Sequence, residues 1–163
     1  MLHNPWQPFA AVSTMVPEKL QTWLTYTGSF MERLKAHAIV DTKISVLNQG
    51  WEKANSDEIN FLQTDEKTLI REVLIGNQTN LWMYARSVFP ESTLTEQEQS
   101  LAHLGVKPLG EFLFNHPEMQ RSDFKMKKLL PSKLWARCSL FYLRGKKLLL
   151  TEIFSPALME LGA

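Results

Sequence analysis

Two charged residues stand within segments that are otherwise apolar. Glu152 lies in the run LLLTEIF, and Arg71 lies in the run LIREVLI. Because side chains alternate between the two faces of a strand, Glu152 should share a face with Leu148, Leu150 and Phe154. If that face belongs to the core, desolvation raises the pKa of Glu152, and the carboxyl group could act as an acid near neutral pH. The alternative is an edge strand on which Glu152 reaches solvent, or an ion pair with a nearby arginine.

Arg71 presents the complementary case of a cation on an apolar face, beside Leu69 and Val73. A buried guanidinium requires a carboxylate, either from the protein or from a ligand. Glu72 cannot supply it, because adjacent side chains of a strand point in opposite directions. The alternative is an arginine whose stem covers apolar surface while its charged end reaches water. Together, Arg71 and Glu152 predict a pocket on one sheet face that suits a small carboxylate ligand.

The remaining residues with reactive side chains give weaker signals. The four histidines show no metal-ligand spacing, so no metal site is expected; they are His3, His37, His103 and His116. Cys138 has Arg137 as a neighbour that could lower its pKa, but no histidine or aspartate partner is visible, which favours a plain buried thiol. Glycine-rich phosphate-binding motifs and the nucleophile elbow are absent from the sequence.

Length and charge limit the class of protein. The chain of 163 residues is predicted to form a single domain, with residues 1–16 as an irregular N-terminal arm. Its 18 basic residues nearly balance 17 acidic ones, which argues against a nucleic-acid partner, although a small anion needs only one or two local cations. No apolar run approaches the about 20 residues of a membrane span, and the N-terminus is a poor signal peptide. We therefore expect a soluble cytoplasmic protein, with no membrane span.

Local patterns predict several helices. Apolar residues recur at helical spacing after Pro17, and Ser29 begins a capping-box pattern that predicts a second short helix. A similar pattern at Thr95 predicts a helix that ends before Gly105. Residues 108–110 are predicted to form a turn, and residues 55–67 a loop or a partly helical connection.

Alternating or continuous apolar patterns predict the strands. The predicted segments are residues 39–47, a hairpin of 69–75 and 81–89, residues 122–128, and a hairpin of 134–143 and 147–154 around Arg144–Lys146. Hairpins connect neighbouring antiparallel strands, and the helices lie mostly towards the N-terminus. The predicted fold class is therefore α+β, with a single antiparallel sheet and helices packed against it.

From about Pro17 onward, the order of these segments resembles that of the chorismate pyruvate-lyase family. The matching segments are WLTYTGSFMERL, LIREVLI, YARSVFPESTL, LGVKPLGEFLF and LWARCSLFYLRGKKLLLTEIFSPAL. The series, in this order and at these spacings, is specific. The resemblance implies a chorismate lyase-like fold and a lyase that needs no cofactor. Such an enzyme converts chorismate to 4-hydroxybenzoate and pyruvate, as the first committed step of ubiquinone biosynthesis.

The resemblance also implies site residues. Glu152 matches the acid of the family's T-E-[LI]-F run, Arg71 matches the substrate-binding arginine of L-R-E-[IV], and Leu109 matches the ligand contact of P-L-G. Where family members usually have S-[LM]-T, Phe30 takes the contact position and Met31 replaces the threonine. If that contact is made through the backbone, Phe30 can serve.

These implications form a mechanistic hypothesis. Arg71 forms a two-pronged bond with the ring carboxylate, and Leu109 offers its backbone N–H to the same group. Glu152 faces the oxygens at the far side of the ring, as a hydrogen-bond partner or general acid.

Two other functions remain open. One is a non-enzymatic sensor of small carboxylates, since the same fold resembles the effector-sensing domain of some bacterial transcription regulators. About sixteen N-terminal residues are too few for the DNA-binding module of such a regulator. The other is a diverged lyase that acts on a related carboxylate, which the presence of Phe30 keeps open. No surface pattern indicates an oligomer, so a monomer is expected.

Overall fold

The computed structural model of the chain describes residues 4–162, and these contain one antiparallel sheet of eight strands. The strands are β1 (Gln7–Pro8), β2 (Lys43–Glu52), β3 (Thr68–Gly76), β4 (Leu81–Pro90), β5 (Gln120–Arg121), β6 (Lys125–Lys128), β7 (Trp135–Leu143) and β8 (Lys146–Phe154). Their order across the sheet is β1-β6-β7-β8-β4-β3-β2, and the short β5 also pairs with β7. The predicted α+β class with an antiparallel sheet is confirmed.

Helices cover both faces of this sheet. The α-helices are α1 (Phe9–Val12), α2 (Glu18–Leu24), α3 (Phe30–Ala36), α4 (Ser56–Leu62) and α5 (Leu109–Phe114), and 3-10 helices span Glu91–Thr93, Glu96–His103 and Pro156–Leu161. Leu24 of α2 and Leu34 of α3 share a core cluster with Val73 of β3, and Leu113 of α5 packs on the same sheet face. Leu62 of α4 packs on the opposite face. The face that carries Arg71 and Glu152 is therefore the one covered by α2, α3 and α5.

The turn between β7 and β8 sets the register of the two strands. Leu143 pairs with Lys146, so the turn contains only Arg144 and Gly145. Both turn residues have positive φ, 51° and 79°, as a tight hairpin of this kind requires. The predicted three-residue turn was wrong by one residue, because Lys146 already belongs to β8. With this register, Arg137 lies directly opposite Glu152.

The N-terminal segment is more regular than the sequence predicted. Gln7 pairs with Met126 of β6, and Val12 of the single-turn helix α1 is buried in the core. Residues 4–16 were expected to form an irregular arm, but they contain a short strand that pairs with the edge of the sheet and a single helical turn. His3 lies outside the described residues.

Several element boundaries also differ from the predictions. Strand β2 begins at Lys43 rather than Ile39, because Ile39 completes the end of α3 by donating its N–H to the carbonyl of Leu34. The preceding residue, Ala38, has a φ of 63°, which is typical of this type of helix ending. The predicted turn at residues 108–110 is instead the start of α5, with Pro108 as its N-cap residue.

The other predicted helices form with modified ends. The helix after Thr95 is a 3-10 helix, and the Thr95 hydroxyl donates to the carbonyl of Ser92 instead of capping it. Gly105 has a φ of 58°, as its predicted position beyond a helix end requires. Residues 55–67 include the helix α4, which has a complete capping box between Asn55 and Glu58.

Candidate functional site

A cavity lies between the inner face of the sheet and helices α3 and α5, and we call it the central cavity. Its lining includes all four residues singled out in the sequence, Phe30, Arg71, Leu109 and Glu152. It is a small cavity with a volume of about 70 Å³. A wider surface groove beside His103 contains none of these four residues. The structure therefore brings the four together in one place.

The sheet register sets the distance between the two charged positions. Arg71 of β3 pairs with Ser87 of β4, and Ser87 pairs with Leu150 of β8, two residues from Glu152. From the standard spacings of a sheet, their Cα atoms lie about 12 Å apart. Both side chains are on the cavity face, so a small ring can lie between them.

Arg71 is a buried cation without a carboxylate partner among the described residues. Arg71 is only 2% exposed, so the alternative in which the charged end of its side chain reaches water is wrong. Its Nη2 donates to the carbonyls of Gly105 at 3.0 Å and Lys107 at 2.8 Å. Its Nε is buried and has no hydrogen-bond partner in the described part of the chain. Burial lowers the pKa of Arg71 from its ordinary value. The guanidinium thus retains donor capacity for an anion in the cavity.

Glu152 is buried and ion-paired rather than exposed. Its Oε1 accepts from Nε of Arg137 at 2.7 Å, and its Oε2 accepts from Nη2 of the same arginine at 3.3 Å. Nη2 of Arg121 donates to Oε1 at 3.4 Å. Of the alternatives posed by the sequence, the structure shows an ion pair in a buried strand. Two guanidinium groups offset the free-energy cost of burying the carboxylate of Glu152. Because both of its oxygens accept hydrogen bonds from them, Glu152 is arranged as a hydrogen-bond acceptor.

Arg137 connects this carboxylate to the end of helix α2. Its Nη1 donates to the carbonyls of Leu24 at 2.9 Å and Tyr26 at 2.8 Å, and to that of Trp23 at 3.3 Å. These carbonyls are at or just beyond the C-terminus of the helix, where they have no intrahelical partner. All three nitrogens of Arg137 are therefore engaged in contacts with the protein.

Arg121 is the second arginine that contacts Glu152. Its Nε donates to Oγ of Ser139 at 3.0 Å, and its Nη1 donates to the carbonyl of Thr27 at 3.3 Å. Its guanidinium carbon lies 4.5 Å from the ring centroid of Phe124 and 4.6 Å from that of Phe141. Burial lowers the pKa of Arg121, and the charge of Glu152 opposes this effect.

Sequence reasoning missed both Arg121 and Arg137 as site residues. For Arg137 a signal exists: it alternates with Trp135 and Ser139, and a two-residue turn places it opposite Glu152. For Arg121 no comparable signal exists, because its strand contains only two residues and shows no alternation.

Phe30 and Leu109 line the cavity at the starts of two helices. Each is the first residue of its helix, α3 or α5, and the first N–H groups of a helix have no intrahelical acceptor. The ring of Phe30 packs edge-on against Trp23 and Phe154, with centroid distances of 5.6 Å and 6.1 Å. The side chain of Phe30 is thus part of the core, and its N–H lies at the start of α3, directly after Gly28 and Ser29, which also line the cavity.

Other candidate chemistry is not supported by the geometry. Within residues 4–162, no group of three or more His, Cys, Asp or Glu side chains is arranged to hold a metal ion. Cys138 is buried on the opposite sheet face from Arg137, and burial raises the pKa of its thiol to about 12. The described helices include none that is long and apolar enough to cross a membrane.

Comparison with known proteins gives consistent matches. The family model for chorismate lyase matches residues 1–160. The chorismate pyruvate-lyase of Hamiltonella defensa is 36% identical over 147 residues, which cover 87% of this chain and 81% of that protein. The chorismate pyruvate-lyase of Enterobacter sp. strain 638 is 32% identical over 151 residues, covering 91% and 89% of the two chains.

A solved structure shows a related fold. The crystal structure of PhnF from Mycobacterium smegmatis superposes with a TM-score of 0.59 at 8% identity, covering 81% of this chain and 65% of that chain. At this level of identity, the likeness concerns the fold alone.

Proposed function

The chain belongs to the chorismate lyase family, and we propose that it converts chorismate to 4-hydroxybenzoate and pyruvate. The observation that carries this proposal is the arrangement of the central cavity. A buried guanidinium with an unpartnered donor, that of Arg71, stands across the cavity from the buried carboxylate of Glu152. Chorismate has a ring carboxylate at one end and a hydroxyl group at the other, which are complementary to this pair.

Arg71 binds the ring carboxylate in this proposal. A guanidinium that retains free N–H donors in a low-dielectric cavity binds an anion strongly. The backbone N–H groups of Leu109 and Phe30 are further donors for the bound substrate, since both residues line the cavity at helix starts. Apolar residues such as Val73 and Leu113 pack on the two faces of the ring.

Glu152 accepts a hydrogen bond from the ring hydroxyl group and fixes the orientation of the ring. Arg137 holds both carboxylate oxygens, so this acceptor is positioned before the substrate binds. Such preorganisation favours a role as hydrogen-bond acceptor over the role of proton donor.

The reaction itself is an elimination whose atoms balance without a co-reactant. The bond between the ring and the enolpyruvyl ether oxygen breaks, and the hydroxyl-bearing ring carbon loses its hydrogen. The methylene carbon of the leaving group gains a hydrogen and becomes the methyl group of pyruvate. Because the ring becomes aromatic, the driving force lies in the substrate, and the protein has mainly to bind and orient it. No cofactor is needed for these steps.

The cellular setting is part of the same proposal. The product 4-hydroxybenzoate is the precursor of the ubiquinone ring, so the enzyme performs the first committed step of that pathway. We propose that it works in the cytoplasm as a monomer, with residues 1–163 forming one domain.

The test is an assay with purified protein that has been treated with EDTA. The protein is incubated with chorismate, and 4-hydroxybenzoate and pyruvate are quantified by chromatography, with Arg71→Ala and the surface variant Arg144→Ala in parallel. We expect equimolar products from the wild type and from Arg144→Ala, and much slower formation by Arg71→Ala at low substrate concentration. Absence of product from the wild type contradicts the proposed function.

A further inference from the structure

The central cavity has more positive charge than one carboxylate of a ligand would neutralise. Among the described residues that line it, the charged ones are three arginines and one glutamate, a surplus of two positive charges. They are Arg71, Arg121, Arg137 and Glu152. Buried charges need partners, so an apolar cavity with this surplus favours a dianion over a monoanion. Chorismate is a dianion, and Arg71 accounts for only one of its carboxylates.

The three arginines differ in how many N–H donors remain for a ligand. Arg137 has the fewest N–H donors left, because its Nη1 donates to two carbonyls at the end of α2 and its Nε and Nη2 donate to Glu152. Arg121 donates three hydrogen bonds, two of which are long, at 3.3 Å and 3.4 Å. A guanidinium has five N–H donors, so the terminal nitrogens of Arg121 retain N–H groups for an anion.

The position of Arg121 matches the second carboxylate of chorismate. The enolpyruvyl ether is attached to the ring carbon next to the hydroxyl-bearing carbon, which the proposed function places at Glu152. Arg121 reaches this same end of the cavity, since its Nη2 lies 3.4 Å from Oε1 of Glu152. Arg71 is at the opposite end, about 12 Å away between the Cα atoms of Arg71 and Glu152.

The guanidinium plane of Arg121 is already held in place. It contacts the rings of Phe124 and Phe141, and its Nε is fixed by the hydroxyl group of Ser139. Stacked arginines lose little freedom when they bind a carboxylate with two parallel hydrogen bonds. The site is therefore prepared for an anion before one binds.

We propose that Arg121 binds the carboxylate of the enolpyruvyl side chain, the group that departs as pyruvate, while Arg71 holds the ring carboxylate. This inference rests on the proposed function and assigns a separate arginine to each carboxylate of the substrate. Arg121 thus distinguishes chorismate from ligands that contain only the ring carboxylate, such as 4-hydroxybenzoate.

The test compares two ligands that differ in this one group. Arg121→Met keeps an apolar stem between the two rings but removes the charge, and Arg121→Lys keeps the charge but removes the planar fork. Arg144→Met, in the β7–β8 turn, is the matched control. For each protein, KM and kcat for chorismate are measured, together with Kd for 4-hydroxybenzoate by calorimetry; Kd for chorismate is measured in the same way for any protein that does not turn it over. Thermal unfolding verifies that each variant is folded.

We expect Arg121→Met to raise KM for chorismate about 10- to 100-fold, the size typical of a lost charged hydrogen bond, with Kd for 4-hydroxybenzoate within about threefold of wild type. Arg121→Lys should be intermediate, and if Arg121→Met does not fold, this variant carries the comparison.

Equal weakening of both ligands overturns the inference, because Arg121 then acts only through Glu152. Unchanged binding of both ligands overturns it as well. Failure of the proposed function is a separate result: the wild type then forms no product from chorismate, and the ratio of the two Kd values still decides the role of Arg121. A wild type that does not bind chorismate at all overturns both proposals.

Discussion

Arg137 and Glu152 lie directly opposite each other on β7 and β8, and the arginine donates to both oxygens of the carboxylate. The same guanidinium binds the carbonyls of Leu24 and Tyr26 at the end of α2. One buried arginine therefore connects the last strand to the segment that leads into α3 and Phe30. The orientation of Glu152 and the position of the α3 end of the cavity depend on the same side chain.

Arg137→Met should destabilise the protein by about 3–5 kcal/mol, because it leaves a buried carboxylate with fewer partners and uncaps α2. The free energy of unfolding in urea measures this effect. In the double variant Arg137→Met/Glu152→Gln, the loss should be smaller than the sum of the two single losses, since the uncompensated charge is gone. Strict additivity would show that the pair does not interact.

Glu152→Gln should lower kcat about 100-fold while changing KM for chorismate only slightly, because a misplaced acceptor impairs the orientation of the ring in the reacting complex. Glutamine preserves the shape of the side chain, which limits secondary changes. Steady-state kinetics of product formation give both constants. The assignment is wrong if Glu152→Gln retains the kcat of the wild type.

Arg71→Ala should raise KM for chorismate about 100-fold with little change in kcat, because the variant loses the partner of the ring carboxylate in both the ground state and the transition state. The Kd for 4-hydroxybenzoate should rise by a similar factor, since that ligand has the same carboxylate. Arg144→Ala is the control for removing an arginine outside the cavity. Unchanged binding of 4-hydroxybenzoate to Arg71→Ala would place the ring carboxylate elsewhere.

The role of the Leu109 N–H can be isolated from that of its side chain. Leu109→Pro removes both the backbone N–H and the leucine side chain, whereas Leu109→Ala removes only the side chain. Proline is well tolerated at the first position of a helix, and Pro108 has an extended backbone (φ −65°, ψ 135°) that permits a following proline. We expect KM for chorismate to be about tenfold higher in Leu109→Pro than in Leu109→Ala, the effect of one hydrogen bond to a charged group. Equal KM values in the two variants exclude a backbone contact at this residue.

Cys138 should not react with iodoacetamide in the native protein at pH 8. Burial raises the pKa of this thiol to about 12, so the reactive thiolate is scarce, and the side chain is also inaccessible. Mass spectrometry should show complete labelling only after the addition of denaturant. Labelling of the native protein at the rate of the denatured control would mean that the thiol is activated.

The elements with strong local patterns were predictable from the sequence. The hairpin of β3 and β4 lies where alternation and the turn residues place it, and the shared cavity face of Arg71 and Glu152 follows from alternation together with the core position of their strands. The positions of Phe30 and Leu109 at the cavity came from the family resemblance. Boundaries such as the start of β2 were wrong, because the end of α3 uses Ile39 for a hydrogen bond that no strand pattern reveals.

The sequence by itself determined which face of each strand carries a charge, because side-chain alternation is a local property of the backbone. The sequence did not determine which group each charged side chain contacts. Whether Glu152 lies in solvent or forms an ion pair depends on Arg137, which is brought opposite by the hairpin register, and on Arg121 from a two-residue strand. The contact between Arg137 and Leu24 joins residues 113 positions apart. Such pairings are decided by the packing of the whole sheet against α2, so only the tertiary structure shows that two arginines contact the carboxylate of Glu152.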